Sequence, residues 1–258
     1  MRVGIVTGGS KGIGKGLTLA LASAHPELDE IWVVSRNPAW DEESPGPRIR
    51  CIAIDLAQHY STGELSIHLD REGATVEFLV CNAGVAIAST RDFAPSVDSS
   101  GWADASMSAD ESMVNTNILG TLRVVNACLP HMVRGSKVLL IGSISALVPT
   151  PGLATYTASK AFVRSWSLAL REELRPLGIS VTVSHPGKVR TEAVAGVVRQ
   201  TGSIKLRAMP SQSLRHFARR SIAAADRGKD EVTPGFYRFF TALVGVIPAP
   251  VRARLSRL

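Results

Sequence analysis

An alternation of short apolar runs with longer helical patterns constrains this chain more than any other feature. Runs rich in β-branched residues recur at Val3–Thr7, Ile31–Ser35, Ile49–Ile54, Val76–Cys81, Lys137–Gly142 and Ile179–Ser184. Each is mostly continuous in hydrophobicity, as expected of parallel strands covered on both faces. Helical patterns fill the intervals at Ile13–Ala24, Thr62–Glu72, Asp110–Arg134 and Tyr156–Leu177. That rhythm specifies βαβ units. Right-handed crossovers then give an α/β, doubly wound parallel sheet that binds ligands at the carboxyl ends of its strands. A short run near Glu231–Thr233 would bring the count to about seven strands flanked by helices.

The 258 residues read as a single domain over 1–235, with an apolar and basic extension of the same domain at 236–258. Two stretches break the alternation. One is Ala86–Ala109, with Pro95, Ser99-Ser100-Gly101 and Trp102; the other is a lid-like segment at about 191–212 with Gly196, Gly202 and Pro210. Hydrophobic residues make up 45%, which excludes wholesale disorder. Cys51, Cys81 and Cys128 share no CxxC spacing, and the six histidines form no ligand cluster, so neither a disulfide framework nor a metal site is expected. No run reaches the ~18 apolar residues of a membrane span, and no signal peptide is apparent, so a cytoplasmic location is expected. The net charge of +7 is uneven: residues 204–258 hold eleven Lys/Arg against three Asp/Glu, and residues 1–203 eighteen against nineteen. A solvated Arg-rich surface is the expected reading of that basic end, and no motif supports specific nucleic-acid binding.

Thr7-Gly8-Gly9-Ser10-Lys11-Gly12-Ile13-Gly14 joins the first strand to the first helix. Unpaired amides and a partial positive charge at a helix N-terminus suit a pyrophosphate, and glycines permit its close approach. An arginine, Arg36, stands at the end of the second strand, where an acid would hold the ribose 2′-hydroxyl of NAD. With Lys11 in the turn, it points to the 2′-phosphate of NADP(H) in preference to NAD(H).

Tyr156 and Lys160 lie i, i+4 on one helix face, and Ser143 ends the fifth strand thirteen residues before Tyr156. A neighbouring ammonium is expected to lower the phenol's pKa towards general acid/base work near neutrality.

With these residues in view, the chain resembles the short-chain dehydrogenase/reductase family from Thr7 to about Gly235. The motifs match in order: the TGxxxGIG turn, Asp55, Asn82-Ala83-Gly84, Asn117, Ser143, the Tyr156/Lys160 pair, and Pro186-Gly187-Lys188-Val189-Arg190-Thr191. The resemblance implies a Rossmann-like fold and a role for each residue. Tyr156 would be the general acid/base; Lys160 would tune it and bond the nicotinamide ribose; Ser143 would bond the substrate oxygen; Asn117 would hold a proton-relay water. Gly8, Ser10, Lys11, Gly12, Ile13 and Gly14 would take the pyrophosphate side of the cofactor. Asp55 and Leu56 would meet the adenine, Asn82-Ala83-Gly84 the adenosine, and Pro186, Gly187, Val189 and Thr191 the nicotinamide carboxamide.

The implied activity is NADP(H)-dependent interconversion of a carbonyl and a secondary alcohol. Ala193, Val194, Ala195, Val197, Val198, Ile204, Leu206 and Met209 suggest an apolar small-molecule substrate, or else packing onto the body. Reduction of a 3-oxoacyl thioester, with Arg134 and Arg171 facing an acidic carrier, is an alternative. A non-catalytic NADP(H)-binding regulator or scaffold is another. A homodimer or homotetramer is expected, although the chain lacks the Asp-Gly-Gly ending common among tetrameric relatives. The tail Phe236–Val251 is expected to dock on the body or a partner subunit, ahead of peripheral membrane contact.

Overall fold

The computed structural model describes residues 1–88, 107–201, 207–245 and 247–255. Seven parallel strands form one sheet: β1 (Arg2–Thr7), β2 (Glu30–Ser35), β3 (Arg48–Ala53), β4 (Thr75–Cys81), β5 (Met132–Ile141), β6 (Ser180–Ser184) and β7 (Glu231–Val232). Their spatial order is β3-β2-β1-β4-β5-β6-β7, so the chain reverses direction across the sheet between β1 and β4. Such a switch point opens a crevice at the strands' carboxyl ends.

Side chains alternate across the sheet and supply two cores. Val3, Ile5, Leu79 and Val138 face α2 (Ser61–Glu72), α3 (Gly120–Cys128) and α4 (Ala154–Leu174), where Leu65, Val124 and Leu170 meet them. Val6, Phe78, Val80 and Leu139 face α1 (Gly12–Ala24) and a helix at Leu214–Asp226 through Leu17, Leu21, Phe217 and Ile222. Between these lies α5 (Glu192–Thr201), so the Leu214–Asp226 helix is α6; two short helices follow, α7 (Tyr237–Gly245) and α8 (Ala249–Leu255).

Three expectations need correction. The helix read over Asp110–Arg134 ends at Cys128, because Pro130 breaks it, and Met132–Arg134 already belong to β5. This early start of β5 includes a register shift: Val76 pairs with Met132, but Phe78 pairs with Lys137, and Ser136 bonds the Val76 carbonyl at 2.8 Å within the bulge. The lid-like segment is no continuous loop, since α5 occupies its first half. Most of Ala86–Ala109 lies outside the described residues, as do Gly202, Ile204 and Leu206. Among the described residues, no helix is long and apolar enough to cross a membrane, and no cluster of metal-ligating side chains occurs.

Candidate active site

The glycine-rich turn is pinned to the neighbouring strand by side chains. Thr7 Oγ1 accepts from the Asn82 and Ala83 amides, each at 3.0 Å, while Asn82 Nδ2 donates to the Thr7 and Gly8 carbonyls at 3.0 and 3.3 Å. Gly8 takes a φ of +62°, and a Cβ on Gly14 would lie 2.0 Å from the Gly8 carbonyl oxygen, so neither position admits a side chain. Lys11 stands at the N-cap of α1, whose first turn has neither a capping side chain nor an acid, which leaves its amides free for an anion. Ser10 and Ile13 flank it, with Ile13 packed on the α1 and α6 core.

β1 and β2 run side by side to the Thr7–Val34 pair, which brings Lys11 and Arg36, both exposed, to the same rim. The acids that follow, Asp41 and Glu42, are held by Lys15 at 3.1 and 2.9 Å. After β3, Asp55 Oδ1 accepts from the Ala57 amide at 3.1 Å, and Leu56 is buried. Across the cleft, Thr191 stands close to Gly12, whose Cβ would lie 3.5 Å from the threonine methyl. Pro186 accepts from the Ile144 amide at 3.1 Å, and Val189 forms a β-bridge with Gln212. The dinucleotide residues inferred from sequence therefore line one edge of the sheet, and their glycine cradle and exposed cations fit the phosphates of a nicotinamide dinucleotide.

Asn117 lies in a π-helical turn, Val114–Leu119, just ahead of α3. Widened turns of this kind recur at functional sites. Its buried side chain accepts from the Val85 amide at 2.8 Å and donates to the Val85 carbonyl and Ser159 Oγ at 2.9 and 3.0 Å, clamping the post-β4 loop to α4. A Cβ on Gly84 would lie 3.1 Å from Asn117 Oδ1 and 3.5 Å from Lys160 Nζ, so the three residues converge.

Lys160 is buried, and its Nζ donates to the Ile141 carbonyl at 3.0 Å. Burial penalises the ammonium and lowers its pKa to about 8. Tyr156 sits one turn earlier on α4, with its phenol beside Ser143. Burial raises the phenol's pKa and Ser143 pulls it down. Ser143 thus adds a lowering influence that the sequence did not bring out, while one of the three Lys160 ammonium protons goes to the Ile141 carbonyl.

Ser143 rests on a residue that the sequence reading passed over. His185 is fully buried, and its ring occupies the space beside Gly142, where a Cβ would come within 2.5 Å of Nδ1. That Nδ1 lies 3.2 Å from the Ser143 amide, and Nε2 lies 2.8 Å from Glu231 Oε1. Nδ1 also lies 3.1 Å from the Ser143 carbonyl, so the ring is wedged between the Ser143 backbone and the Glu231 carboxylate. Glu231 also accepts two bonds from Arg164, the Nη2 one at 2.9 Å. These contacts hold the Glu231 carboxyl at about 2 although burial opposes its ionisation. The position of His185 immediately before Pro186-Gly187 was the only signal in the sequence.

The two arginines considered for an acidic carrier do not reach this cleft. Arg134 lies in the first residues of β5, at the amino edge of the sheet, beside Gly178. Arg171 is engaged by the Val181 and Gly228 carbonyls at 2.9 and 3.0 Å and by Asp230 at 2.9 Å. The tail packs beside the site: the Tyr237 ring covers Gly187, its hydroxyl donates to the Pro210 carbonyl at 2.6 Å, and Arg252 donates to the Leu147 carbonyl.

The short chain dehydrogenase family model matches residues 2–202. The chain is 35% identical to a very-long-chain 3-oxoacyl-CoA reductase of Aspergillus clavatus, over 69% of this chain and 50% of that protein, so it spans half the relative's length. Among solved structures, a short chain dehydrogenase from Burkholderia cenocepacia in complex with NADP matches with a TM-score of 0.72 at 23% identity, covering 98% of this chain and 96% of the other. A 3-oxoacyl-[acyl-carrier protein] reductase from Brucella melitensis in complex with NAD matches with a TM-score of 0.71 at 20% identity, over 90% and 94%. The seven-stranded fold and the family match together place this chain in the short-chain dehydrogenase/reductase family, as an oxidoreductase.

Proposed function

We propose that this oxidoreductase uses NADP(H) to interconvert a carbonyl and a secondary alcohol on an apolar small molecule. The observation that carries the proposal is the convergence of Ser143, Tyr156 and buried Lys160 at the edge that also holds the glycine cradle. When bound, the dinucleotide supplies or accepts the hydride. Tyr156 gives the proton to the substrate oxygen in reduction and takes it back in oxidation. Ser143 donates a hydrogen bond to the same oxygen as charge develops there. Lys160 holds positive charge behind the phenol, and Asn117 keeps the Val85 loop and α4 at the spacing these groups require. Ser10, Gly12 and the first amides of α1 would hold the pyrophosphate, Asp55 and Leu56 the adenine, and Val189 and Thr191 the nicotinamide end. The Lys11 and Arg36 pair, with no acid over Ser35–Trp40 after β2 to receive a 2′-hydroxyl, is the reason for choosing NADP(H) over NAD(H); of the two solved neighbours, one holds NADP and the other NAD.

The curated relative's name favours a long-chain 3-oxoacyl thioester as a second reading of the substrate. NADPH oxidation against apolar ketones, aldehydes, quinones and 3-oxoacyl thioesters tests both readings. Turnover of an apolar ketone or thioester, faster with NADPH than NADH, is expected. Tight NADPH binding with no turnover of any carbonyl would leave a non-catalytic binding protein instead.

A further inference from the structure

We infer that the two terminal helices form a docking surface for an anionic lipid bilayer. Along α7, Tyr237 and Val244 are buried against the body, whereas Phe239 and Leu243, and Phe236 just before the helix, are 61%, 65% and 67% exposed. Phe239 and Leu243 are spaced i, i+4 on the outward face of α7, and Phe236 immediately precedes the helix. Val251 of α8 adds a fourth apolar group at 43% exposure. A soluble monomer seldom leaves so many large apolar side chains together in water.

Charge selects the occupant. Residues 236–258 contain Arg238, Arg252, Arg254 and Arg257 and no acid. The Arg238 guanidinium lies 4.6 Å from the centre of the Phe239 ring, Arg254 is exposed, and Arg252 anchors α8 to the Leu147 carbonyl. A two-fold contact through this face would set the arginines of one copy against those of the other. An anionic leaflet instead takes phenylalanine and leucine among its acyl chains and pairs arginine with its headgroups. The surface also has a fixed place relative to the catalytic groups, because α7 packs on the turn Ile144–Leu147 that follows Ser143. The docking inference stands apart from the redox reading; if both hold, an apolar substrate dissolved in the bilayer would arrive beside Ser143.

Co-sedimentation of the full chain with phosphatidylglycerol–phosphatidylcholine vesicles, against phosphatidylcholine alone, tests it. Binding at least tenfold tighter to the anionic vesicles, weakening as salt rises, is expected of the unaltered chain. Arg254→Ala should weaken it about fivefold, the worth of one cation at such a surface. The double variant Phe239→Ser, Leu243→Ser should lose more than tenfold while its NADPH affinity, which reports a folded body, is unchanged. Equal binding to both vesicle types, no binding, or full binding by the double variant would overturn the inference. So would light scattering that shows the double variant dissociating a dimer whose parent ignores vesicles, since a second copy would then be the occupant.

Discussion

Replacing Glu231 with glutamine tests the support beneath Ser143. The carboxyl sits at about 2 instead of its ordinary 4.5, because His185 and Arg164 favour the anion against the cost of burial. At about 1.4 kcal/mol per tenfold, that gap is worth about 3 kcal/mol, and partial solvent exposure trims it to about 2 kcal/mol. The folded-state value is depressed, so this stability is fully present above pH 4.5 and is lost as pH falls towards 2. Glu231→Gln should therefore lower the unfolding free energy by about 2 kcal/mol at pH 7, with roughly 60% of that difference left at pH 3.5. Urea titrations of both chains at the two pH values measure it. Turnover should fall about tenfold with KM little changed, because the His185 ring loses the partner that holds it against Ser143. A stability loss below 0.5 kcal/mol at pH 7, or one that does not shrink in acid, would refute the reasoning.

Other expectations follow from single groups. Lys160 has a folded pKa of about 8 against an ordinary 10.5, so its buried ammonium costs stability below pH 8, and the cost disappears as pH rises towards 10.5. Lys160→Met should therefore be inactive yet more stable than the parent by on the order of 2 kcal/mol at pH 7, with the gap closing by pH 10.5 in thermal melts. Arg36→Asp should move the NADPH-to-NADH ratio of kcat/KM towards NADH by at least about tenfold, the scale of one charge-assisted phosphate contact; an unchanged ratio would remove the 2′-phosphate assignment. Gly142→Ala drives a methyl into the His185 ring and should cost turnover more than it costs NADPH affinity in titration calorimetry.

The sheet could be read from the sequence because its strands are covered on both faces, which writes Val3–Val6 or Phe78–Cys81 as nearly continuous apolar runs. The helix that carries Tyr156 and Lys160 was equally plain, since the two residues are one turn apart. Failures occurred where the signal was not local. Arg215, Arg219 and Arg220 on the exposed face of α6 read as part of a basic tail, although Phe217 and Ile222 of the same helix fill the core. The first residues of β5 escaped notice because a bulge interrupts the pairing between Met132 and Lys137. His185, just past β6, and Glu231 and Arg164, from β7 and α4, are joined by no spacing rule; only the fold brings them beneath Ser143.

The central claim is that one phenol handles the substrate proton. Turnover and NADPH binding of Tyr156→Phe, measured side by side, test it most directly. The expected result is a loss of at least about 10³-fold in kcat with NADPH affinity within a few-fold of the parent. A variant that turns over at the parent's rate while binding NADPH normally would contradict it.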